Sequence, residues 1–438
     1  MSASVSGAVP PVPEQAGGER HASWLELFFD LIAVAGVGQL AHLLRTGPSW
    51  AASGEYVLLF VAFWFAWIMS TMYGNVAGQR TRIVAVVAAM LGMAVMAAAV
   101  PGIRDSDQKA RAFALAYVVV RLIASRVWSG RRQVVADLPV IQLGAGLTPW
   151  LVSLWVHGDA RLWLWAAGLV IDMAVMVRVS RETLRAEIDQ KWAQAEDRLE
   201  RRLEQEGRRG SAALPPEEAR LRADRARRRM RRKPEVVVAD TSHLAERLGL
   251  FVLITLGEGM VQSVDAASEE TWTRGLRIVA FGVFVLMVLI WSLALRTGTY
   301  GLPLLAPRAL PVRLVLSLHC VFACAVAALA AALGRAVTEA DEVMERPGRL
   351  LLAGVLALIL LVAVVCALVS GCGPGWTAAA LGPAFAPAGV LALGGGPGDG
   401  RDLGTGVLVA LAVSALAWPV AWRALRPGVF AAQEERAS

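Results

Sequence analysis

The sequence has few charged residues and few cysteines. Asp, Glu, Lys and Arg make up 18% of its 438 residues, against about 25% in soluble proteins, whereas hydrophobic residues make up 56%. This composition excludes a chain of soluble domains and indicates a polytopic membrane protein. The cysteines lie in or beside apolar segments without metal-ligand spacing to histidine, so we expect buried thiols and no metal site. They are Cys320, Cys324, Cys366 and Cys372.

Motifs that would indicate an enzyme are also missing. The sequence contains no HExxH motif, no glycine loop that cradles phosphate, and no recognisable pair of nucleophile and base. The formal net charge of +7 is not accompanied by a nucleic-acid-binding motif. We therefore expect that the protein is not an enzyme, binds no cofactor and has no nucleic-acid partner.

Apolar runs long enough to cross a bilayer fall into two groups of six. The first group is Trp24–Leu44, Gly54–Tyr73, Arg82–Val100, Ala110–Trp128, Val134–Val156 and Arg161–Val179. The second group is Leu244–Val264, Arg274–Leu295, Val312–Leu333, Arg349–Ser370, Trp376–Leu393 and Gly404–Ala424. Glycines and prolines interrupt Trp376–Leu393, which predicts a broken or re-entrant helix there. The sequence predicts an all-α, polytopic transmembrane helix bundle of about 12 spans (about 10–12).

A basic segment, Ser180–Asp240, separates the two groups. Between Arg178 and Lys233 lie 18 of the 43 Lys and Arg residues, and such loops remain in the cytoplasm, which predicts cytoplasmic termini. Either the loop contacts anionic lipid or it is a stop signal followed by a solvated helix. The candidate lipid contacts are Arg227, Arg228, Arg229, Arg231, Arg232 and Lys233. The predicted order is a disordered leader (1–23), a transmembrane half (24–179), the basic loop (180–240), a second transmembrane half (241–424) and a cytoplasmic tail (425–438).

Charged residues inside the spans are the strongest candidates for function, because each costs about 2.5–3.5 kcal/mol at a helix centre. Glu26 and Asp30 are four residues apart and share one face of the first span. The seventh span carries a similar set. The candidate ion-binding or substrate-binding residues are Glu26, Asp30, His243, Glu246, Arg247 and Glu258. Arg121 and Asp172 are a candidate buried charge pair, which serves either function or assembly alone.

Two segments carry a family resemblance. Arg20–Leu44 contains Glu-Leu-Phe-Phe-Asp-Leu from Glu26, followed by Gln39-Leu40, and His243–Val261 contains His, Glu-Arg, Gly-Leu-Phe and Gly-Glu in that order. These segments resemble the two signatures of the low temperature requirement protein A family of bacterial membrane proteins. The family usually carries acids after the residue equivalent to Asn75, and this chain does not. The resemblance implies a multi-pass protein of the bacterial inner (plasma) membrane, but it implies no biochemical activity.

Two functions remain open from the sequence. One is an ion- or proton-coupled transporter or permease that uses its buried carboxylates to move an unknown small ion or solute. The other is a non-transporting scaffold, sensor or envelope-adaptation protein whose basic loop contacts lipid or a partner. The oligomeric state does not follow from the sequence.

Overall fold

A computed structural model describes residues 23–77, 82–129, 133–135, 138, 144–209, 235–393 and 403–425. Within these residues the chain is almost entirely helical. The helices are α1 (Trp24–Thr46), α2 (Trp50–Ala77), α3 (Ile83–Ala99), α4 (Asp107–Ser129), α5 (Leu147–Val152), α6 (Asp159–Arg178), α7 (Arg181–Arg209), α8 (Thr241–Glu269), α9 (Arg274–Trp291), α10 (Val312–Thr338), α11 (Arg346–Val369), α12 (Pro374–Leu393) and α13 (Thr405–Leu425). A 3-10 turn, Ser153–Trp155, follows α5, and a π-turn, Ser292–Arg296, follows α9.

Eight of the described helices are long and apolar enough to cross a membrane, which makes the chain a multi-pass membrane protein. They are α1, α2, α6 and α9 to α13. Helix α3 is apolar but has only 17 residues. Helices α4 and α8 are not in this set, and both contain charged residues along their length. The predicted number of about 12 spans is therefore confirmed only in part.

The predicted fifth span, Val134–Val156, is wrong as a continuous helix. Its described residues contribute to strand β1 (Gln133–Val135), which pairs in parallel with β2 (Glu235–Val237), and to α5 and the 3-10 turn. Gly144 has a φ of 56°, outside the right-handed helical region. Pro149 lacks the N–H that a longer helix would need at its position. Apart from this short strand pair, the described residues confirm the predicted all-α fold.

The predicted break in Trp376–Leu393 is absent. Helix α12 runs through this segment with Pro383 and Pro387 inside it. Each proline removes one backbone hydrogen bond. The helix packs between α11 and α13, and such neighbours stabilise proline-containing helices in apolar surroundings.

Contacts along the helices define their relative directions. Helices α1 and α8 run parallel, because Asp30 meets Arg247 near their first turns and the Gly38 carbonyl meets Gln262 further along both. Helix α2 runs antiparallel to α1, since its last turns, at Gly74, face Glu26. Helix α2 is largely buried, and α1, α8 and α10 pack against it. The starts of α1 and α8 therefore lie on one face of the bundle beside the end of α2.

Candidate functional site

The N-terminal turns of α1 and α8 are fixed by capping side chains. Ser23 Oγ accepts from the Glu26 backbone N–H at 3.3 Å, and Glu26 Oε2 accepts from the Ser23 N–H at 2.8 Å, which forms a capping box. Asp240 accepts from the backbone N–H groups of Ser242 at 3.0 Å and His243 at 3.2 Å. The Ser242 hydroxyl and these N–H groups hold the pKa of Asp240 below its ordinary value. Both helices thus begin with their polar residues at fixed positions.

Four of the predicted residues lie together between these two helices: Glu26, Asp30, His243 and Arg247. We call them the α1–α8 charge cluster. Asp30 Oδ1 accepts from Arg247 Nη2 at 2.6 Å and from the Trp67 indole N–H at 2.7 Å. Asp30 is 0% exposed and Arg247 is 1% exposed. A charge-assisted hydrogen bond between fully buried partners ties α1 to α8.

Glu26 completes the cluster at its outer edge. Its Oε1 lies 3.4 Å from Arg247 Nη1, and its Oε2 lies 3.5 Å from His243 Nε2. Arg247 Nη2 also donates to the Glu26 backbone carbonyl at 3.3 Å. One guanidinium therefore lies between two carboxylates.

The tautomer of His243 follows from Asn75, at the end of α2. The Asp240 backbone N–H donates to Asn75 Oδ1 at 2.8 Å, which fixes the orientation of the amide. Asn75 Nδ2 then donates to the Asp240 carbonyl at 2.9 Å and lies 3.2 Å from His243 Nδ1. Because an amide NH₂ only donates, His243 Nδ1 is an acceptor, and the ring proton is on Nε2 facing Glu26. The histidine is therefore neutral in this arrangement.

A second histidine, His319 of α10, lies beneath the cluster. Its Nδ1 accepts from the Trp64 indole N–H at 3.1 Å, so its Nε2 donates to the Leu248 carbonyl at 3.1 Å. The Trp67 ring stacks on it with an interplanar angle of 21°. Both ring nitrogens have partners, which is typical of a packed structural histidine.

The structure places Glu258 and Glu246 differently. Glu258 lies eleven residues beyond Arg247, roughly 16 Å further along the axis of α8. It lines a cavity of about 310 Å³ between α1 and α8, which we call the α1–α8 cavity. The cavity is lined by Ala35, Gly38, Gln39, His42, Arg45, Glu258, Gln262 and Asp265. Glu246 is half-buried beside Arg247. The predicted set therefore divides between two places on one helix pair.

Arg121 and Asp172 form a buried, two-pronged ion pair between α4 and α6. Arg121 Nη1 contacts Asp172 Oδ2, and Nη2 donates to Oδ1 at 3.2 Å. Arg121 also donates to the Tyr117 hydroxyl at 2.8 Å and lies over the Phe65 ring. A side chain at Gly146 would collide with the Asp172 carboxylate. Tyr117, Phe65 and Gly146 pack around the ion pair, which favours a role in assembly.

The predicted lipid contacts, Arg227, Arg228, Arg229, Arg231, Arg232 and Lys233, lie outside the described residues. The part of the basic loop that is described is α7, whose side chains are mostly exposed. Glu187 pairs with Lys191 at 3.2 Å, and Asp197 contacts Arg201. Among the described residues of the whole chain, no group of three or more His, Cys, Asp and Glu side chains could hold a metal ion.

Three residues that complete these sites were not among the predicted site residues: Trp67, Asn75 and Gln262. A buried indole N–H requires a partner, so Trp67 in an apolar run was a signal for a nearby acceptor. Asn75 is the one amide at the end of α2. The spacing within α1 and α8 does not indicate which groups of α2 meet them.

These features define a multi-pass helical membrane protein with a buried charge cluster between two parallel helices. The sequence model described as "Bacterial low temperature requirement A protein (LtrA)" matches residues 21–425, and the chain belongs to that family. The family resemblance of the two signatures is thereby confirmed.

One curated relative shows how far the similarity extends. An uncharacterised protein of Rhizobium meliloti (strain 1021) is 24% identical over 293 residues, which is 64% of this chain. The match spans 59% of that relative's length. No solved structure matches the chain.

Proposed function

We propose that the protein is a proton-coupled transporter whose coupling proton binds the α1–α8 charge cluster. The observation that carries this proposal is the charge of the cluster. Glu26 and Asp30 contribute two carboxylates, Arg247 contributes one guanidinium, and Asn75 keeps His243 neutral. One negative charge is left over in a buried place, and a bound proton would balance it.

Asp30 offers a specific position for that proton. Its Oδ1 is shared by Arg247 and Trp67, whereas its Oδ2 is buried and accepts no hydrogen bond from the described residues. A proton on Oδ2 would remove one of the two α1 carboxylate charges that bind Arg247 and leave Glu26 as the other. The two protonation states would then favour different separations of α1 and α8, which is how a proton can bias two conformations of a transporter.

The arrangement of the helices supports a bundle of twelve membrane crossings, six in each half of the chain. β1 follows the end of α4 at Ser129, whereas Val156 lies beside Arg161, whose side chain contacts Asp107 at the start of α4. The chain between β1 and Val156 would therefore cross the bundle and complete six crossings before α8, and α8 to α13 would add six more. Because the loop between the halves is basic, the face with the starts of α1 and α8 would be cytoplasmic in a bacterial plasma membrane.

The test is proton flux in proteoliposomes. Acid-loaded vesicles that contain a pH-sensitive dye receive a panel of alkali cations, small organic cations and metabolites on the outside. We expect at least one of them to raise the internal pH with the wild type and not with Asp30→Asn. Glu269→Gln, an exposed carboxylate on α8, serves as the matched control and should retain flux. Folded wild type without flux for any member of the panel would contradict the proposal.

One observation favours the second function, a non-transporting scaffold or sensor. Helix α7 is 29 residues long and is mostly exposed, so it offers a surface to lipid or to a partner. Deleting residues 180–233 separates the two functions. The scaffold function requires that the deletion abolishes cellular function while the protein still inserts; proton coupling requires that the reconstituted deletion variant keeps its flux.

A further inference from the structure

Helix α7 begins where the chain leaves the membrane-spanning helix α6. Val179, between the two helices, has an extended backbone with φ −80° and ψ 112°, so α7 is not a straight continuation of α6. The Ser180 hydroxyl accepts from the Thr183 backbone N–H at 3.1 Å and caps the new helix. No other described helix or strand packs extensively against α7. The helix therefore starts at the boundary of the membrane and stands apart from the rest of the described bundle.

Apolar residues form one stripe along α7. They are Leu184, Ile188, Trp192, Ala195 and Leu199. At about 100° per residue, all of them lie within about 40° of the direction of Ile188, and the stripe is about 22 Å long. Apart from two alanines, every other residue between Glu182 and Arg202 is polar. Helix α7 is therefore amphipathic, with a narrow apolar face.

The charged residues of α7 are sorted around this stripe. Between Glu182 and Arg202, four of the five basic residues lie within about 80° of the direction of Ile188, and Arg201 is the exception. These four are Arg185, Lys191, Arg198 and Arg202. The six acidic residues all lie at about 80° or further, and they are Glu182, Glu187, Asp189, Glu196, Asp197 and Glu200. The face that carries the stripe is therefore positively charged, although the helix as a whole is nearly neutral.

A bilayer surface whose headgroups carry phosphate matches this arrangement of charge. The apolar stripe would enter the boundary between the headgroups and the acyl chains. Arginine and lysine side chains can cover apolar surface with their aliphatic parts while their charged ends reach phosphate. The acidic residues would face water, away from a surface that repels them. Such a surface is close at hand, because only Val179 and Ser180 separate α6 from α7.

We propose that α7 lies flat on the membrane at the end of α6, with its apolar stripe between the headgroups and its flanking basic side chains on anionic phosphates. Because the loop that contains α7 is basic, this is the cytoplasmic leaflet, which is rich in anionic lipid. The contact commits the exposed surface of α7 to lipid, and it requires neither the residues from Arg227 to Lys233 nor proton coupling at Asp30.

Spin labels on the full chain test the contact in nanodiscs of equal parts phosphatidylglycerol and phosphatidylcholine. Ile188→Cys places a label on the stripe, and Gln190→Cys places one about 160° away. The native cysteines are buried, so the wild type treated with the same reagent gives the background signal. Collisions with oxygen report lipid around a label, and collisions with a water-soluble nickel chelate report water. We expect the label at 188 to meet oxygen and not nickel, and the label at 190 to meet nickel.

Two other outcomes would overturn the proposal. Nickel that reaches both labels equally would show that α7 is a solvated helix. A label at 188 that meets neither oxygen nor nickel would show that protein covers the stripe, either another segment of this chain or a partner. Proton flux in a chain with either result would support the transport function and contradict the lipid contact, and a lipid-immersed stripe without flux would do the reverse.

Two neighbouring arginines test the contribution of charge. Arg202 lies about 40° from the direction of Ile188, whereas Arg201 lies about 140° away. Arg202→Gln should raise the ratio of water-exposed to lipid-immersed label at 188 about fivefold, the effect of one basic residue near an anionic surface. Arg201→Gln is the matched control and should leave the ratio unchanged. In discs of phosphatidylcholine alone, the two variants should behave alike. Equal effects of both variants in the anionic discs would contradict the assigned face.

Discussion

At the scale of single residues, the Asp30–Arg247 contact joins α1 to α8 through two buried charges. Both side chains are buried, and Arg247 also lies beside Glu26. Removing one member of a buried ion pair leaves an unpaired charge, which costs roughly 3–5 kcal/mol. The same charges would be far less consequential on the exposed helix α7, where ion pairs contribute about 0–1 kcal/mol.

Arg247→Met tests this difference. We expect it to lower the free energy of unfolding by roughly 3–5 kcal/mol, because Asp30 then keeps its charge without its main partner. Adding Asp30→Asn should recover most of the loss, since the asparagine is neutral and still accepts from Trp67. Denaturant unfolding in detergent measures both. Arg201→Met, which breaks an exposed pair on α7, is the control and should cost less than about 1 kcal/mol. A double variant less stable than Arg247→Met would contradict the pairing.

Arg121 and Asp172 allow a second test at this scale. Because the pair is packed and two-pronged, Arg121→Ala and Asp172→Ala should each destabilise the protein, and the double variant should lose much less than their sum. Proton flux per folded molecule should stay unchanged in the double variant if the pair serves assembly alone. Additive losses of stability would show that the two side chains do not stabilise each other.

At the scale of elements, the starts of α1 and α8 decide whether the charge cluster forms. Asp240 caps α8 while its backbone binds Asn75 of α2. We expect Asp240→Ala to lower stability by about 0.5–2 kcal/mol near neutral pH. Hydrogen bonds lower the pKa of Asp240 in the folded state below its ordinary value of 3.8. Its contribution to the free energy of unfolding is therefore fully present above pH 3.8, and it is lost as the pH falls through the pKa of the folded state.

The measurement is the unfolding free energy of wild type and Asp240→Ala at several pH values. The difference between them should be constant near neutral pH and should shrink under acidic conditions, because a protonated carboxyl accepts less strongly from N–H groups. Asp240→Asn, which keeps a capping oxygen, is the control and should stay close to the wild type at neutral pH. A difference that grew on acidification would contradict the role of the charged cap.

The helices and part of the site could be predicted from the sequence. The apolar runs gave most of the helices, and the four-residue spacing of Glu26 and Asp30 placed both on one face. The segment around Gly144 and Pro149 misled the prediction, because its composition is apolar enough for a span while its described residues form only the six-residue helix α5 and a 3-10 turn. Hydropathy measures how well a segment suits an apolar medium, but it does not take into account the backbone conformation at glycine and proline.

The partners of the predicted charges could not be obtained in this way. Trp67 and Asn75 reach the cluster from another helix, and Asn75 binds Asp240 across 165 positions of the chain. Such contacts depend on how helices pack, which local spacing does not encode. The distance between Glu258 and Arg247, in contrast, could be predicted from the sequence. Both residues lie on one helix, and its rise of about 1.5 Å per residue places them far apart along the axis.

At the scale of the whole molecule, the pair of helices α1 and α8 carries two separate features. The charge cluster lies at the starts of α1 and α8, and the α1–α8 cavity lies further along the same two helices. A change at Asp30 that altered the separation of the helices would therefore also alter the cavity around Glu258.

The proposed coupling depends on protonation of Asp30, which infrared difference spectroscopy of the reconstituted protein detects. Spectra are recorded at stepped pH for wild type, Asp30→Asn and Glu269→Gln, with Glu26, Arg247, Trp67 and neutral His243 as the groups that face Asp30. We predict a carboxylic acid band that titrates in the wild type and in Glu269→Gln and is missing from Asp30→Asn. A wild type in which no titrating band depends on Asp30, over the whole pH range where the protein stays folded, would contradict the account.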